Sequence, residues 1–298
     1  MLRRTIRVPE PFDLDLTLAS FVRGPIDPTT HIDGSRFWRA TRTPEGAATT
    51  LFERDGDAVA VTAWGAGAAW ALEAAPALLG DADDPLSFVP HHDVVLRMHR
   101  RMKGWRLGRT GAVVEALIPS IVEQKVTGKE AFRSYRTLVL RLGEPAPGPT
   151  RLYVAPHPAR LAALPYYAFH PFGIERRRAD TIRRACARAE RLEECGTMPL
   201  ADAYRRLQTI AGVGDWTAAE VARVALGDKD AVSVGDYHLP TVVAYALAGE
   251  EHADDARMLE LLTPYAGRRA RAIRYIEAAG LGPPRRAPRA ALRRIEAI

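Results

Sequence analysis

Residues 207–219, Leu-Gln-Thr-Ile-Ala-Gly-Val-Gly-Asp-Trp-Thr-Ala-Ala, constrain the fold more than any other stretch. The residues before Ile210 have helical character, Gly212 and Gly214 permit a tight reversal, and the run from Thr217 to Ala222 begins a new helix. The reading is a helix, a hairpin and a helix over about residues 203–226. At such a corner the first amides of the second helix lack intrahelical partners and the helix dipole adds partial positive charge, so a phosphate can dock there. A Cβ would keep the phosphate away and resist positive φ, which is why glycine suits both positions. An ordinary connection between two helices would use Gly-x-Gly as well.

Asp236, in Ser233-Val234-Gly235-Asp236-Tyr237, follows the hairpin by enough chain for one helix and a short loop. That length brings its carboxylate back beside whatever the hairpin holds. Asp236 also reads as an N-cap for the apolar segment Leu239 to Leu247, and the two readings are compatible. A helix N-terminus favours a charged carboxylate, the state needed to face a developing cation.

The pattern Leu207-Gln208-x-Ile210-x-Gly212-Val213-Gly214-x-Trp216-Thr217-Ala218, followed by Val234-Gly235-Asp236, resembles the helix-hairpin-helix DNA glycosylase superfamily, and most of all its 3-methyladenine DNA glycosylase II branch. The resemblance covers about residues 85–280 and is motif-specific around 207–237. It implies a base-excision repair enzyme that flips a damaged base out of double-stranded DNA and hydrolyses its N-glycosidic bond, with Asp236 as the catalytic carboxylate. Glycosylases that also cut the backbone carry a lysine just after the hairpin for a Schiff base; Trp216 stands there, so the expected enzyme is monofunctional. Alkylated purines already carry positive charge and leave readily, and an aromatic pocket favours them through cation–π contact.

By the same resemblance the amides of Gly212, Gly214 and Thr217 reach phosphate oxygens. The backbone carbonyls of Gln208, Ile210 and Val213 hold a structural monovalent cation, Na+ or K+, and no other cofactor is required. The turn Ile121 to Thr127 would enter the minor groove, with Gln124 and Lys125 at the lesion; a wedge between bases is usually apolar or flat, and Lys125 is neither. It either lends its aliphatic stem to the stack or is a solvated lysine at a helix end. Two departures concern the base pocket. A tyrosine of the family falls at Glu220 and a tryptophan at or near Gly267, so Tyr265 or Tyr237 would compensate, alongside Trp216.

Composition is compatible with this without requiring it. The chain has 298 residues, 47% hydrophobic and 26% charged, with net charge +6 and pI near 9.5, which permits a polyanionic partner. Cys186 and Cys195 are too few for a four-thiolate cluster, which excludes the cluster-bearing endonuclease III type. No apolar run approaches a membrane span and the basic start lacks a signal-peptide core, so a cytoplasmic, nucleoid-associated monomer is expected.

In chain order, residues 1–85 read as a small antiparallel α+β domain. A helix from Leu14 to Val22 and another from Ala66 to Leu79 flank a meander between Arg36 and Trp64, with turns at residues 43–46 and 54–57. Residues 86–282 read as a mostly α-helical bundle. Its helices are expected at Val94 to Met102, Thr110 to Glu123, Thr127 or Gly128 to Leu142, a short one ending near Leu164, Ile174 to Leu192, Leu239 to Ala248, Asp254 to Leu262 and Arg268 to Ala279. Residues 283–298 read as a basic tail, either solvated or a loose DNA contact.

The segment 165–173 concentrates aromatics in a loop. One or two of Tyr166, Phe169 and His170 would face the base pocket, or the rings form a hydrophobic plug between helices. The arginines from Arg176 to Arg191 occupy more than one helix face, so a DNA stripe does not follow from spacing. Two other functions remain: a non-catalytic helix-hairpin-helix protein that binds DNA structure, and a nucleoside or sugar hydrolase that binds no duplex.

Overall fold

The computed structural model describes residues 1–284. An N-terminal antiparallel sheet is followed by helices almost to its end, an α+β fold as expected. The chain runs β1 (Leu2–Arg7), α1 (Leu14–Leu18), β2 (Thr30–Asp33), β3 (Arg36–Thr43), β4 (Gly46–Asp55), β5 (Ala58–Trp64) and α2 (Ala68–Leu78). The strands pair in the order β1-β5-β4-β3-β2, all antiparallel.

The meander expected between Arg36 and Trp64 forms the middle of this sheet. Its outer strands were not anticipated. β1 (LRRTIR) and β2 (THID) are edge strands, the first arginine-rich and the second only four residues, and charge or brevity is how sheets blunt their edges. Those same properties hide them from a search for apolar alternation. The helix expected from Leu14 to Val22 stops at Leu18 and tightens into a 3₁₀ turn, Ala19–Phe21.

The remaining helices are α3 (Asp93–Arg101), α4 (Val113–Val122), α5 (Gly128–Leu142), α6 (Pro158–Ala163), α7 (Arg176–Cys186), α8 (Ala189–Glu193), α9 (Leu200–Gln208), α10 (Asp215–Val221), α11 (Leu239–Ala248), α12 (Asp255–Leu261) and α13 (Arg269–Ala279). Two expectations change. The aromatic segment is a 3₁₀ helix, Tyr166–Phe172, rather than a loop, and the single helix from Ile174 to Leu192 breaks into α7 and α8 around Ala187 and Arg188. Among the described residues no helix is long and apolar enough to cross a membrane. The expected basic tail from Arg285 to Ile298 lies outside the described residues.

One apolar cluster joins the sheet to the bundle. Phe37, Phe52 and Val61 meet Leu72 and Leu78 of α2, then Leu117 and Ile121 of α4, Ile182 of α7 and Ile210 of the hairpin. A second cluster, Phe88, Met98, Trp105, Val243, Met258, Tyr265 and Tyr275, holds α3, α11, α12 and α13 together. Buried Arg271 lies over the Trp105 ring at 4.6 Å and donates to Tyr275 Oη at 2.9 Å. Its ion pair with buried Asp83 ties α13 to the segment leaving the sheet.

Every residue of α4 but Glu115 is buried, and the helix is fixed at both ends. At its start the Glu193 carboxylate accepts from Val113 N at 2.8 Å and Val114 N at 2.9 Å, supplying two of the orphan amides with an acceptor from α8. Burial pushes the Glu193 carboxyl above its usual range in spite of those two bonds. At its end, buried Arg178 of α7 donates to Val122 O at 2.5 Å and to Gly173 O at 3.1 Å. The turn after α4, which carries Gln124, is thereby held against the hairpin side of the bundle.

Candidate active site

The hairpin forms because α9 and α10 bury one residue on each side of the corner. Ile210 is 1% exposed and Val213 6%, and Val213 N donates to Ile210 O at 2.9 Å to close the reversal. The two glycines are there for different reasons. Gly212 has φ +104, and a Cβ would lie 2.2 Å from Thr181 Oγ1, so the fold itself requires glycine. Gly214 has φ −105, an ordinary value, and a Cβ there would meet nothing within 4 Å. Nothing inside the molecule asks for glycine at 214.

The first backbone bond of α10 is Ala218 N to Gly214 O, 2.9 Å, so the amides of Asp215, Trp216 and Thr217 precede the helical ladder and need another acceptor. Gly214 and Asp215 are exposed beside them. Gln124 reaches this corner from the turn after α4: its Nε2 donates to Gly212 O at 2.9 Å and to Thr217 Oγ1 at 2.8 Å. Lys125 follows, exposed, with φ +56, the one non-glycine residue in the left-handed region among those described. Such a conformation costs energy and persists where neighbours impose it; here a capping box, Thr127 with Glu130, starts α5 two residues later.

Asp236 comes back to the same corner. Its Oδ2 accepts from Trp216 Nε1 at 2.9 Å, and its Oδ1 from His238 N at 2.7 Å and Leu239 N at 2.8 Å. The carboxylate therefore binds the first amide of α11, whose N-cap is His238 and not Asp236 as expected, and it lies half-buried beside the helix that leaves the hairpin. Trp216 is spent as a donor on Asp236.

Three residues whose roles sequence reasoning missed hold the Asp236 loop. Glu220 lies one turn beyond Trp216 on the same face of α10, and its Oε1 accepts from Ser233 Oγ at 2.5 Å. Asp255 accepts from Gly235 N at 3.0 and 3.1 Å. The loop is thus bonded at positions 233, 235 and 236. Burial raises the Glu220 carboxyl, but Arg223, donating at 2.6 Å, and Ser233 together outweigh it and hold the group below its usual range. Glu277 of α13 shares this field: burial pushes it up, Arg223 opposes, and Glu220 and Asp236 add repulsion. The residue is nevertheless exposed to solvent. The pairing of Ser233 with Glu220 has no sequence signal beyond both lying close to the motif.

The aromatic candidates separate. Phe169 is fully buried in the main core beside Phe172, so it fills the bundle and is no pocket wall. Tyr265 is 2% exposed, stacked on Phe88, with its hydroxyl shared by His91 N and His92 Nδ1; it belongs to the second core. Tyr237 points the other way, 89% exposed, its ring edge-on to His238 at 4.8 Å, beside Asp236 but walling nothing. Tyr166 is half-buried under Arg176 at 4.6 Å and edge-on to His170. A cavity of about 30 Å³ between sheet and bundle, lined by Thr30, Arg39, Glu115 and Tyr135 among others, contains none of the predicted site residues and is the size of a buried water site.

No protein-family model matches the chain. No curated protein matches it in sequence. Solved structures do match in shape. A 3-methyladenine DNA glycosylase from Archaeoglobus fulgidus superposes with TM-score 0.75 at 21% identity, covering 93% of this chain and 97% of that one. The chain has the helix-hairpin-helix glycosylase fold. MBOgg1, solved with a low-affinity DNA ligand, superposes with TM-score 0.70 at 17% identity over 93% of this chain and 95% of its own. The 8-oxoguanine glycosylase/lyase of Clostridium acetobutylicum gives 0.69 at 13% identity, over 93% and 96%. The glycosylase fold accordingly extends through the N-terminal sheet, and its members in this set include both a glycosylase and a glycosylase/lyase.

Proposed function

We propose that the chain is a monofunctional DNA glycosylase that releases alkylated purines, of the 3-methyladenine type, from double-stranded DNA, with Asp236 as the catalytic carboxylate. The observation that carries the reading is the bond from Trp216 to Asp236, which sets a carboxylate beside the free amides after Gly214. An anion-binding corner and a fixed anion would ordinarily repel one another's ligands. They make sense together if the corner holds a phosphate while the carboxylate faces charge of the opposite sign one nucleotide away.

As the bond from C1′ to the base nitrogen lengthens, the base leaves with the electron pair and positive charge builds on the sugar. Asp236, already bonded to three N–H donors and so unable to swing freely, opposes that charge without reorganising, and water then adds to C1′. A base that is cationic before the bond breaks needs little help from an acid. The fold alone does not choose between hydrolysis and lyase chemistry. Position 216 favours hydrolysis, because an indole cannot form an imine and its N–H is committed to Asp236. The backbone carbonyls of Gln208, Ile210 and Val213 suit a monovalent cation: Ile210 O accepts only one bond within the turn and a carbonyl has two lone pairs. Bound there, the ion would offset phosphate charge.

The test is release of free base from duplexes each carrying 3-methyladenine, 7-methylguanine, hypoxanthine or ethenoadenine, with borohydride trapping in parallel. Release of the cationic purines without a trapped protein–DNA adduct is expected. A trapped adduct contradicts the monofunctional reading, and duplex binding with no release from any substrate favours the non-catalytic binder.

A further inference from the structure

The sequence leaves the arginines of α7 unsorted; their partners sort them. Arg176 and Arg183 pair with Asp180, and Arg178 is buried against Glu175 and Val122 O. Arg177 and Arg188 make no ion pair among the described residues, and both are exposed. Arg184, also exposed, touches only a carbonyl: its Nη1 donates to Ala211 O of the hairpin at 3.3 Å.

Arg177 and Arg184 share a face, while Arg188 lies past the end of α7, in the break before α8. At 100° per residue Arg177, Thr181 and Arg184 fall on one narrow stripe of a helix. Thr181 locates that stripe, since its Oγ1 donates to Ala211 O at 3.4 Å and it is the residue a Cβ at Gly212 would strike. The face of α7 packed along the hairpin is therefore the face bearing its uncompensated guanidinium groups. Along the axis the two are spaced by about 10 Å at 1.5 Å per residue. Cations without a carboxylate partner beside an anion-binding corner complement a polyanion.

We propose that Arg177 and Arg184 extend the hairpin's interface along α7 and bind backbone phosphates of duplex DNA flanking the one the hairpin holds. The proposal rests on the hairpin being a DNA-holding element and is independent of any base release. The contacts are to phosphates, so they add affinity and salt dependence without sequence preference.

The test measures binding of the full chain to an undamaged duplex across a range of salt. The variant is Arg177→Gln/Arg184→Gln, and Arg176→Gln, on the same helix but paired with Asp180, is the control. Because the two residues are exposed, the unfolding midpoint should stay put. The slope of log affinity against log salt should fall by about 0.9 for each lost contact, about 1.8 in all, with affinity at low salt down several-fold, and the control should leave both unchanged. An unchanged slope in the double variant, or a change confined to single-stranded DNA, overturns the stripe while leaving the glycosylase reading intact. A parent that shows no salt-dependent duplex binding overturns the stripe together with the hairpin's DNA role. Absent base release with the expected slope difference overturns the glycosylase reading alone.

Discussion

The hairpin corner and the aromatic segment at residues 165–173 both present residues suited to DNA, yet they fold in opposite senses. In the segment, Phe169 sinks into the core, Tyr166 lies under Arg176, and Gly173 gives its carbonyl to Arg178. Apart from exposed Tyr167, its needs are met inside the protein. At the corner, Gly214 has no internal reason to be glycine, the first amides of α10 lie outside the helical ladder, and Lys125 is held at positive φ in the open. A residue type compatible with function becomes a candidate when folding leaves its chemistry unused.

Several substitutions would break or sharpen that contrast. Phe169→Ala should cost the most, about 3–5 kcal/mol of stability in a chemical denaturation series, while folded protein retains its duplex affinity. A normal stability with selectively lost lesion binding would return Phe169 to the pocket.

The hairpin glycines divide next. Gly212→Ala should destabilise by about 1–3 kcal/mol, because it forces a side chain into the left-handed region and against Thr181. Gly214→Ala should leave the melting temperature unchanged or raise it slightly, yet weaken duplex binding about tenfold, a loss near 1.4 kcal/mol. Equal affinity in the parent and Gly214→Ala would mean that nothing docks at the corner.

Ser233→Ala frees one of the three bonded positions of the Asp236 loop and should slow single-turnover base release several-fold, about 1 kcal/mol, with duplex affinity unchanged. A parallel loss of binding would make Ser233 a contact and not a positioning residue.

The smallest effect concerns the second core, where Tyr265 bonds His92 and where His99 packs beside Phe88 and Tyr275. Burial lowers both histidines, helped by His91 for His92 and by Arg271 and Lys103 for His99. The folded state then prefers neutral rings, whereas the unfolded chain takes up protons near pH 6.5, so the stabilising contribution is present above pH 6.5 and lost as pH falls through the lowered folded values. The melting temperature should decline between pH 7 and 5. Tyr265→Phe should lower it without altering base-release kinetics, and a kinetic defect at normal stability would move Tyr265 to the site.

Much of the fold was legible because its helices carry strong apolar periodicity: α5, α11 and α13 fall within a residue of their expected bounds. The edge strands were not, since β1 gives its length to arginine and β2 is too short to alternate. At the site, Gly212, Trp216, Thr217 and Asp236 lie in or near one motif, Gln124 lies in a separate turn read by resemblance, and the structure bonds or packs them together. Phe169, Tyr237 and Tyr265 were misread because an aromatic side chain suits core, surface and pocket alike, and only burial tells them apart. Glu220 was noted as a departure from the family pattern; its role on the Asp236 loop follows from a partner 13 residues away.

The central claim is that Asp236 assists bond breaking while the hairpin does the holding. It is tested most directly by Asp236→Asn, with single-turnover base release from a 7-methylguanine duplex and affinity for the same duplex measured side by side. The amide keeps an oxygen for His238 and Leu239 but loses the charge and the acceptor that Trp216 uses. Release should fall by about 10²–10³-fold, roughly 2.7–4 kcal/mol, with affinity within a few-fold of the parent. Release at the parental rate, or affinity falling as far as the rate, would contradict it.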